Sequence, residues 1–407
     1  MRTYRELFRT PEFTPLFCAS TAQVAAQTVA GLALGTLVHR ATGSPLLSAL
    51  AMSGPALAQV AGAATLLSAA DRLPPRAAMT GLSLLFGLGT AAQAIPGLPV
   101  AAVFVLLAAL GVLASPGGGV RQGLLHEIVA TDGYLLGRSL LNLSVGATQT
   151  GAFALGGVLV ATLSPRGTLL AAAALHGVAA AVARWGLTRR PPRATGRPSI
   201  AATWRDNARL WSSRPRRYVF LALWVPNGLI VGCESLFVAY APEDAGPLLA
   251  SAAAGMLTGD LLAGRFLPGR WRRVLAVPLL LLLAAPYALF VLRPPLPVLV
   301  AATALSALGY AASLLLLERL MDLTPDGLAG HALGLHTSGM LALQGVGAVL
   351  AGTAAELTSP SMAMAVMAAV SVAVTLTLAR GLPRGDRGRP TAPGPGTGRG
   401  TRWRVRR

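Results

Sequence analysis

Residues 273–292 read RVLAVPLLLLLAAPYALFVL, and after Arg273 this stretch contains no charged side chain. A helix needs about 20 predominantly apolar residues to cross the roughly 30 Å of hydrocarbon in a bilayer. Arginines flank the stretch on both sides, with Arg272 before it and Arg293 after it. The stretch is therefore typical of a membrane-spanning helix, in which every backbone polar group pairs within its own segment.

Eleven further stretches of similar length and composition occur along the 407 residues, which are 54% hydrophobic and 12% charged. Span 1 is not expected to be a cleaved signal peptide, because its apolar run is too long and contains Gln23 and Gln27. The sequence thus predicts an all-α membrane protein. Its twelve spans, numbered in chain order, are expected at residues 14–38, 45–69, 77–96, 99–125, 138–163, 167–187, 217–240, 246–266, 273–292, 296–319, 331–355 and 361–380.

Arginines are concentrated in the loops on one side of the predicted spans. Ten lie in residues 184–217 and nine in residues 380–407, whereas the opposite loops contain only Arg40, Arg166 and Arg293. Because basic loops stay in the cytoplasm, both termini are predicted to be cytoplasmic. The net charge of +19 is accordingly assigned to topology and to contact with anionic lipid headgroups, not to nucleic-acid binding. The absence of Lys beside abundant Ala and Gly suggests GC-rich coding, and hence a bacterial inner membrane.

Two groups of six spans, separated by a long connector, suggest a duplicated unit. Weak internal similarity supports this, since Gln149 and Gly157 in span 5 match Gln344 and Gly352 in span 11 at one offset. Parallel repeats of this kind place the working site between the two halves. The predicted organisation is a cytoplasmic N-terminus at 1–13, a six-helix bundle at 14–187, a cytoplasmic linker at 188–216, a second six-helix bundle at 217–380 and a disordered tail rich in Arg, Pro and Gly at 381–407.

The linker contains one segment with helical periodicity, from Ser199 to Ser213. Trp204 and Trp211 recur on one face, with Arg205 and Arg209 between them. This pattern favours a short amphipathic helix on the cytoplasmic membrane surface. The alternative is an ordered loop helix that does not touch lipid.

Two sequence segments carry a resemblance to a known family. Asp71, Arg72 and Arg76 follow span 2, and GYLLGRSLLN at 133–142 is followed by GAFALGG at 151–157. These features resemble the major facilitator superfamily, and most closely its branch of bacterial efflux permeases that includes the enterobactin exporter and macrolide exporters. The resemblance implies a twelve-helix secondary transporter. It also implies that Asp71, Arg72 and Arg76 form a conformational latch; the alternative is that the arginines only set topology.

Three charged residues within or beside the predicted membrane interior are candidates for proton coupling, because charges there are costly and are commonly functional. Glu234 lies in the half of span 7 away from the cytoplasm, and the competing interpretation is a carboxyl satisfied by a nearby hydroxyl or by the outer headgroup region. Asp260 in span 8 is the second, with an ion pair to Arg265 or to another basic residue nearby as its alternative. Arg121 in span 4 resembles the proton-linked arginine of antiporters, although it could instead reach towards water. It follows Pro116 and three glycines, which are expected to distort the helix.

Polar amides in the spans are candidates for lining a substrate cavity, because amides within lipid must face protein or water. The alternative is that they only tie helices together. They share helix faces in spans 1 and 5 and recur in span 7: Gln23, Gln27, Asn142, Gln149 and Asn227. Glycines of spans 5 and 11 are expected to permit close helix packing: Gly151, Gly156, Gly157, Gly345 and Gly352.

The leading hypothesis is a transporter that exports small, partly apolar molecules by alternating access, with protons as the coupling ion. No Walker loop, metal cluster or catalytic constellation is present in the sequence, so no cofactor, no metal and no enzymatic activity are expected. Membrane lipids are the other expected partners, and the protein is expected to be a monomer. The competing hypotheses are an uptake or uniport permease and a non-transporting receptor or scaffold of the same fold.

Overall fold

The computed structural model describes residues 4–66, 73–129, 131–192, 200–325 and 327–382. These residues form a helical bundle with two short helices outside the predicted spans, Tyr4–Arg9 and Ile200–Ser212. In chain order the long helices are Phe13–Thr42 (span 1), Pro45–Leu66 (span 2), Pro75–Gln93 (span 3), Val100–Ala114 and Gly117–Ile128 (span 4), Thr131–Gly186 (spans 5 and 6), Arg214–Ser235 and Phe237–Tyr240 (span 7), Ala245–Phe266 (span 8), Gly269–Ala284 and Ala285–Leu292 (span 9), Leu296–Leu308, Gly309–Ala311 and Ala312–Asp322 (span 10), Ala329–Leu357 (span 11) and Pro360–Ala379 (span 12).

Ten helices in the described residues are long and apolar enough to cross a membrane. One of them, Leu136–Gly186, contains a break at Ser164, whose backbone has φ 73° and ψ 162°. Pro165 causes this break, because proline lacks an N–H donor and keeps the preceding residue out of the α conformation. The break coincides with the predicted boundary between spans 5 and 6. Pro75–Gln93, which corresponds to predicted span 3, is not among the ten.

Other prolines and glycines change the helix type within a span. The interruption predicted in span 4 is confirmed, since the helix stops at Ala114 and restarts at Gly117, after Pro116. Span 9 tightens into a 3-10 helix at Ala285–Leu292, where Pro286 removes a backbone donor. Span 10 contains a 3-10 turn at Gly309–Ala311. Gly309 permits close packing there, because an added Cβ would lie 2.5 Å from the Leu279 carbonyl oxygen.

One end of the bundle, here called the linker face, is held together by arginine contacts. Arg190 donates two hydrogen bonds to Glu12, at 3.0 and 2.9 Å, and Thr188 donates two more to the same carboxylate. Burial opposes ionisation of Glu12, but the hydrogen bonds from Thr188 and Arg190 outweigh it and lower the pKa of this carboxyl. The start of span 1 and the end of span 6 are thereby joined.

The helix Ile200–Ser212 packs against the second half of the chain at the linker face. Arg216 donates hydrogen bonds to the backbone carbonyls of Arg209, Leu210 and Leu323, at 2.8 to 3.0 Å. Trp211 stacks on Trp224, with ring centroids 5.7 Å apart. Trp204 on the same helix is 71% exposed. The predicted linker helix is therefore observed and anchored to spans 7 and 10, while its contact with lipid stays a prediction.

The opposite end, here called the distal face, joins the first and second halves of the chain. Ser44 after span 1 donates a hydrogen bond to the Glu356 carboxylate near the end of span 11. Across the bundle, span 5 packs on span 8 and span 2 packs on span 11. Within each half, span 1 packs on span 5 and span 7 on span 11. The two halves therefore repeat the same packing: spans 1 and 5 correspond to spans 7 and 11, and the contact of span 5 with span 8 corresponds to that of span 11 with span 2. The proposed domain boundaries stay a prediction.

Candidate transport cavity and buried charges

A cavity of about 400 Å³ lies among spans 1, 2, 4 and 5. Its polar lining includes Gln27 from span 1, Arg121 from span 4 and Gln149 from span 5. Gln27 is 14 residues after the start of its helix, or about 21 Å at 1.5 Å per residue, which is near the helix midpoint. The structure therefore brings three of the predicted functional residues to one recess in the middle of the bundle.

The rest of the cavity wall is largely apolar. Span 1 contributes Val24 and Leu32, span 2 contributes Met52, and span 5 contributes Val145 and Phe153. Such a surface offers van der Waals contact without directional demands, while a few polar groups fix orientation. This combination suits a small molecule with one polar group and an apolar body.

Gln23 and Asn142 do not line this cavity. Gln23 is one turn from Gln27, and Asn142 is two turns, or about 10 Å, from Gln149 on the same side of span 5. Both are displaced towards the linker face, and the Asn142 side chain is exposed. Both therefore lie nearer the linker face than the cavity does, and not at its walls.

Asn227 is held in a helix-to-helix hydrogen bond. Gln344 of span 11 donates to its side-chain oxygen at 3.0 Å, and Asn227 is only 8% exposed. Its amide therefore ties span 7 to span 11. Gln344 was not predicted as a site residue, although its match to Gln149 in the internal repeat was a signal that could have identified it.

Glu234 belongs to a cluster of hydroxyl groups near the distal end of span 7. The Tyr310 hydroxyl donates to the Glu234 carboxylate at 3.1 Å. Tyr287 is fully buried beside it, but its hydroxyl makes no hydrogen bond of good geometry in the described residues. The partly buried carboxyl is thus satisfied in part by a nearby hydroxyl, as the competing interpretation expected.

Asp260 makes no hydrogen bond or ion pair with any residue that the structure describes, and it is partly buried in span 8. The alternative pairing with Arg265 does not form. Residues five apart on a helix point in different directions, whereas partners three or four apart face each other. Leu257, three residues earlier, packs towards Gly146 of span 5. Asp260 therefore lies on the side of span 8 that is turned towards the first half.

Four of the five glycines predicted to permit close packing lie at close approaches between helices. A Cβ at Gly157 would lie 3.0 Å from the Gly246 Cα, and a Cβ at Gly352 would lie 2.7 Å from the Leu46 Cα. Gly345 approaches the Leu57 side chain, and Gly156 packs on span 1. Gly151 faces open space, so a methyl group there would meet nothing. The contact between halves therefore does not involve Gly151.

Of the three residues of the predicted latch, the structure describes only Arg76. Asp71 and Arg72 lie outside the described residues, as does the predicted disordered tail after residue 382. Arg76 is partly buried at the start of helix Pro75–Gln93. The latch stays a prediction.

No protein family matches the sequence, and no curated protein sequence matches it. Solved structures are nevertheless similar in fold. A mutant of the nucleoside transporter NupG has a TM-score of 0.77 and 14% identity, with 91% of this chain and 100% of that chain covered. A POT family transporter in complex with 5-aminolevulinic acid has a TM-score of 0.72 and 9% identity, with 90% and 95% covered. The peptide transporter POT in complex with sulfate has a TM-score of 0.70 and 13% identity, with 93% and 98% covered. The chain therefore has the fold of these solved transporters, and the resemblance to the efflux-permease branch stays a prediction.

Proposed function

We propose that this chain is a secondary transporter that exports small, partly apolar molecules by alternating access, in exchange for protons. The cavity among spans 1, 2, 4 and 5 is the observation that carries the proposal. Polar and charged groups in the middle of membrane helices mark substrate or ion pathways, because hydrocarbon makes them costly elsewhere. The similar solved transporters have the same fold, which makes such a pathway consistent with the architecture.

The proposed topology has twelve crossings in two six-helix halves, at 14–187 and 217–380. The ten apolar helices support it when the break at Ser164 divides one of them and Pro75–Gln93 is added. With both termini in the cytoplasm of a bacterium, the linker face is the cytoplasmic one, as the arginine distribution favours. The protein would act as a monomer in the inner membrane.

Alternating access would occur by rocking of one half against the other. The close contacts between helices at Gly157 and Gly246, and at Gly352 and Leu46, support this. Helix surfaces without large side chains can slide past each other with little steric resistance. Opening of the distal face would break the contact between Ser44 and Glu356. Asp71, Arg72 and Arg76 would act at the other end, as a latch on the linker face.

Proton exchange would use carboxyl groups inside the bundle. Glu234 has a single hydrogen-bond donor of good geometry in Tyr310, and Asp260 has no described partner. A carboxyl with few partners can gain and lose a proton as its surroundings change during the cycle. Arg121 remains charged throughout and would influence these events only through its field.

The test is uptake by proteoliposomes of a panel of lipophilic ions and antibiotics, with and without an imposed pH gradient. Accumulation that requires the gradient is the expected result. Movement independent of the gradient would favour a uniport permease, and the orientation of the gradient that drives uptake distinguishes import from export. A panel in which no compound moves would contradict transport and favour a receptor or scaffold.

A further inference from the structure

Arg121 is a cation without an anionic partner inside the bundle. It is seven residues from the linker-face end of span 4, or about 10 Å along the helix. No hydrogen bond or ion pair joins its guanidinium to any residue of the described ranges. Its side chain instead lines the cavity. Arg121 is partly buried. A partly desolvated charge without a partner is unfavourable, so its retention at this position needs a reason.

Within the described ranges, no acidic side chain lines this cavity. Its lining contains a cation and two amides but no carboxylate. The nearest acid on the same helix segment, Glu127, forms an ion pair with Arg190 at 3.4 Å. Arg190 also binds Glu12. Glu12 and Glu127 are therefore engaged with Arg190 at the linker face, away from the cavity.

We propose that Arg121 binds an anionic group of the transported molecule, so that the substrate class is an organic anion with an apolar body. This inference rests on the proposed function, because it assigns the substrate class of the same cavity. A guanidinium presents its N–H groups as a planar fork, which matches the two oxygens of a carboxylate. The side-chain amides of Gln27 and Gln149 provide further donors on the facing helices.

The apolar part of such a substrate would contact Met52 and Phe153, which line the same cavity. Methionine adapts to irregular shapes, and an aromatic ring offers a flat contact surface. The cavity would therefore select for the anionic group while tolerating variation in the rest of the molecule.

Direct binding tests this inference without requiring transport. The full chain, purified in an uncharged detergent, is titrated calorimetrically with 2-naphthoate, 2-naphthamide and 2-naphthylmethylammonium, which share one apolar frame. We expect 2-naphthoate to bind at least about tenfold more tightly than the amide, the ratio that one charge-assisted hydrogen bond provides. The cation should bind more weakly than the amide.

Two variants at Arg121 and one control variant show whether Arg121 causes the preference for naphthoate. Arg121→Gln should abolish the preference for naphthoate, and Arg121→Lys should keep part of it. Arg184→Gln, at an exposed position in span 6, should leave it unchanged. Absence of any preference in the native chain overturns the inference, as does a preference that survives Arg121→Gln. The preference for naphthoate is measured first on the native chain. The inference can therefore be overturned even if a variant fails to fold.

Calorimetric binding and uptake into proteoliposomes together separate this inference from the proposed function. A chain that prefers naphthoate but moves no compound into proteoliposomes retains the anion site and contradicts transport. A chain that transports lipophilic cations or neutral compounds without preference for anions contradicts the anion site alone.

Discussion

At the scale of single residues, the surroundings of Glu234 depend on two segments of 3-10 helix. Tyr310 lies within Gly309–Ala311, and Tyr287 lies within Ala285–Leu292. Both segments bring a hydroxyl from a different span towards the same carboxyl of span 7. Glu234 therefore lies where three spans of the second half converge. A change in its protonation would alter its interactions with all three.

We predict that Glu234→Gln abolishes accumulation driven by a pH gradient while the protein still folds and inserts. The amide keeps the shape and can accept the Tyr310 hydrogen bond, but it cannot exchange a proton. Glu318→Gln is the matched control, because Glu318 is an exposed acid at the end of span 10. Uptake into proteoliposomes measures both variants. Full gradient-driven uptake by the Glu234 variant would remove this residue from the mechanism.

Glu12→Gln should destabilise the folded protein near neutral pH by about 1.5 to 3 kcal/mol, the range for hydrogen bonds to a charged group. Since the pKa of Glu12 is lowered in the folded state, its contribution is present above the ordinary value of 4.5 and is lost as pH falls through the folded value. The difference in thermal midpoint between variant and native protein should therefore vanish in acid. A difference that does not change with pH would mean that shape, not charge, stabilises the linker face.

At the scale of elements, glycine determines how closely spans of the two halves approach. Gly157 and Gly246 face each other across spans 5 and 8, and each would place an added Cβ against the backbone of its partner. Gly151, on the same helix as Gly157, has no neighbour within 4 Å of an added Cβ. The two glycines therefore differ in packing while they share a helix and a residue type.

Gly157→Val and Gly151→Val form a matched pair for this reason. Valine at 157 should separate spans 5 and 8, shift the balance of states and reduce transport by about tenfold or more, the effect of about 1.4 kcal/mol. Valine at 151 should leave transport close to the native rate. Initial rates in proteoliposomes, normalised to the amount of inserted protein, measure the effect. Equal rates for the two variants would contradict a role for the close approach.

Some of this architecture could be predicted from sequence because it depends on local chemistry. Pro116 interrupts span 4, and Pro165 ends span 5 at Ser164, as expected from the backbone restrictions of proline. The hydrogen bonds Gln344–Asn227 and Tyr310–Glu234 could not be predicted in the same way. Each joins spans far apart in sequence, and an apolar pattern does not specify which helices become neighbours.

At the scale of the whole molecule, the two halves meet closely at the distal face. Leu46 and Gly352 approach across spans 2 and 11, and the Ser44–Glu356 contact lies beside them. The cavity, Gln23 and Asn142 all lie on the linker side of these contacts. We interpret this arrangement as the state in which the cavity is closed to the distal face, so that transport requires these contacts to separate.

A reversible cross-link between Leu46 and Gly352 would show whether transport requires the two halves to separate at the distal face. A Cβ at Gly352 would lie 3.3 Å from the Leu46 Cβ, close to the roughly 3.5–4.5 Å separation of a disulfide. The two native cysteines, Cys18 and Cys233, would first be replaced by Ala so that only the new pair can form a disulfide. The double variant L46C/G352C would then be oxidised in proteoliposomes, and its transport would be measured before and after reduction. We expect no transport while the disulfide is closed and recovery of transport when it is reduced. Undiminished transport through the cross-linked protein would contradict alternating access by separation of the two halves at the distal face.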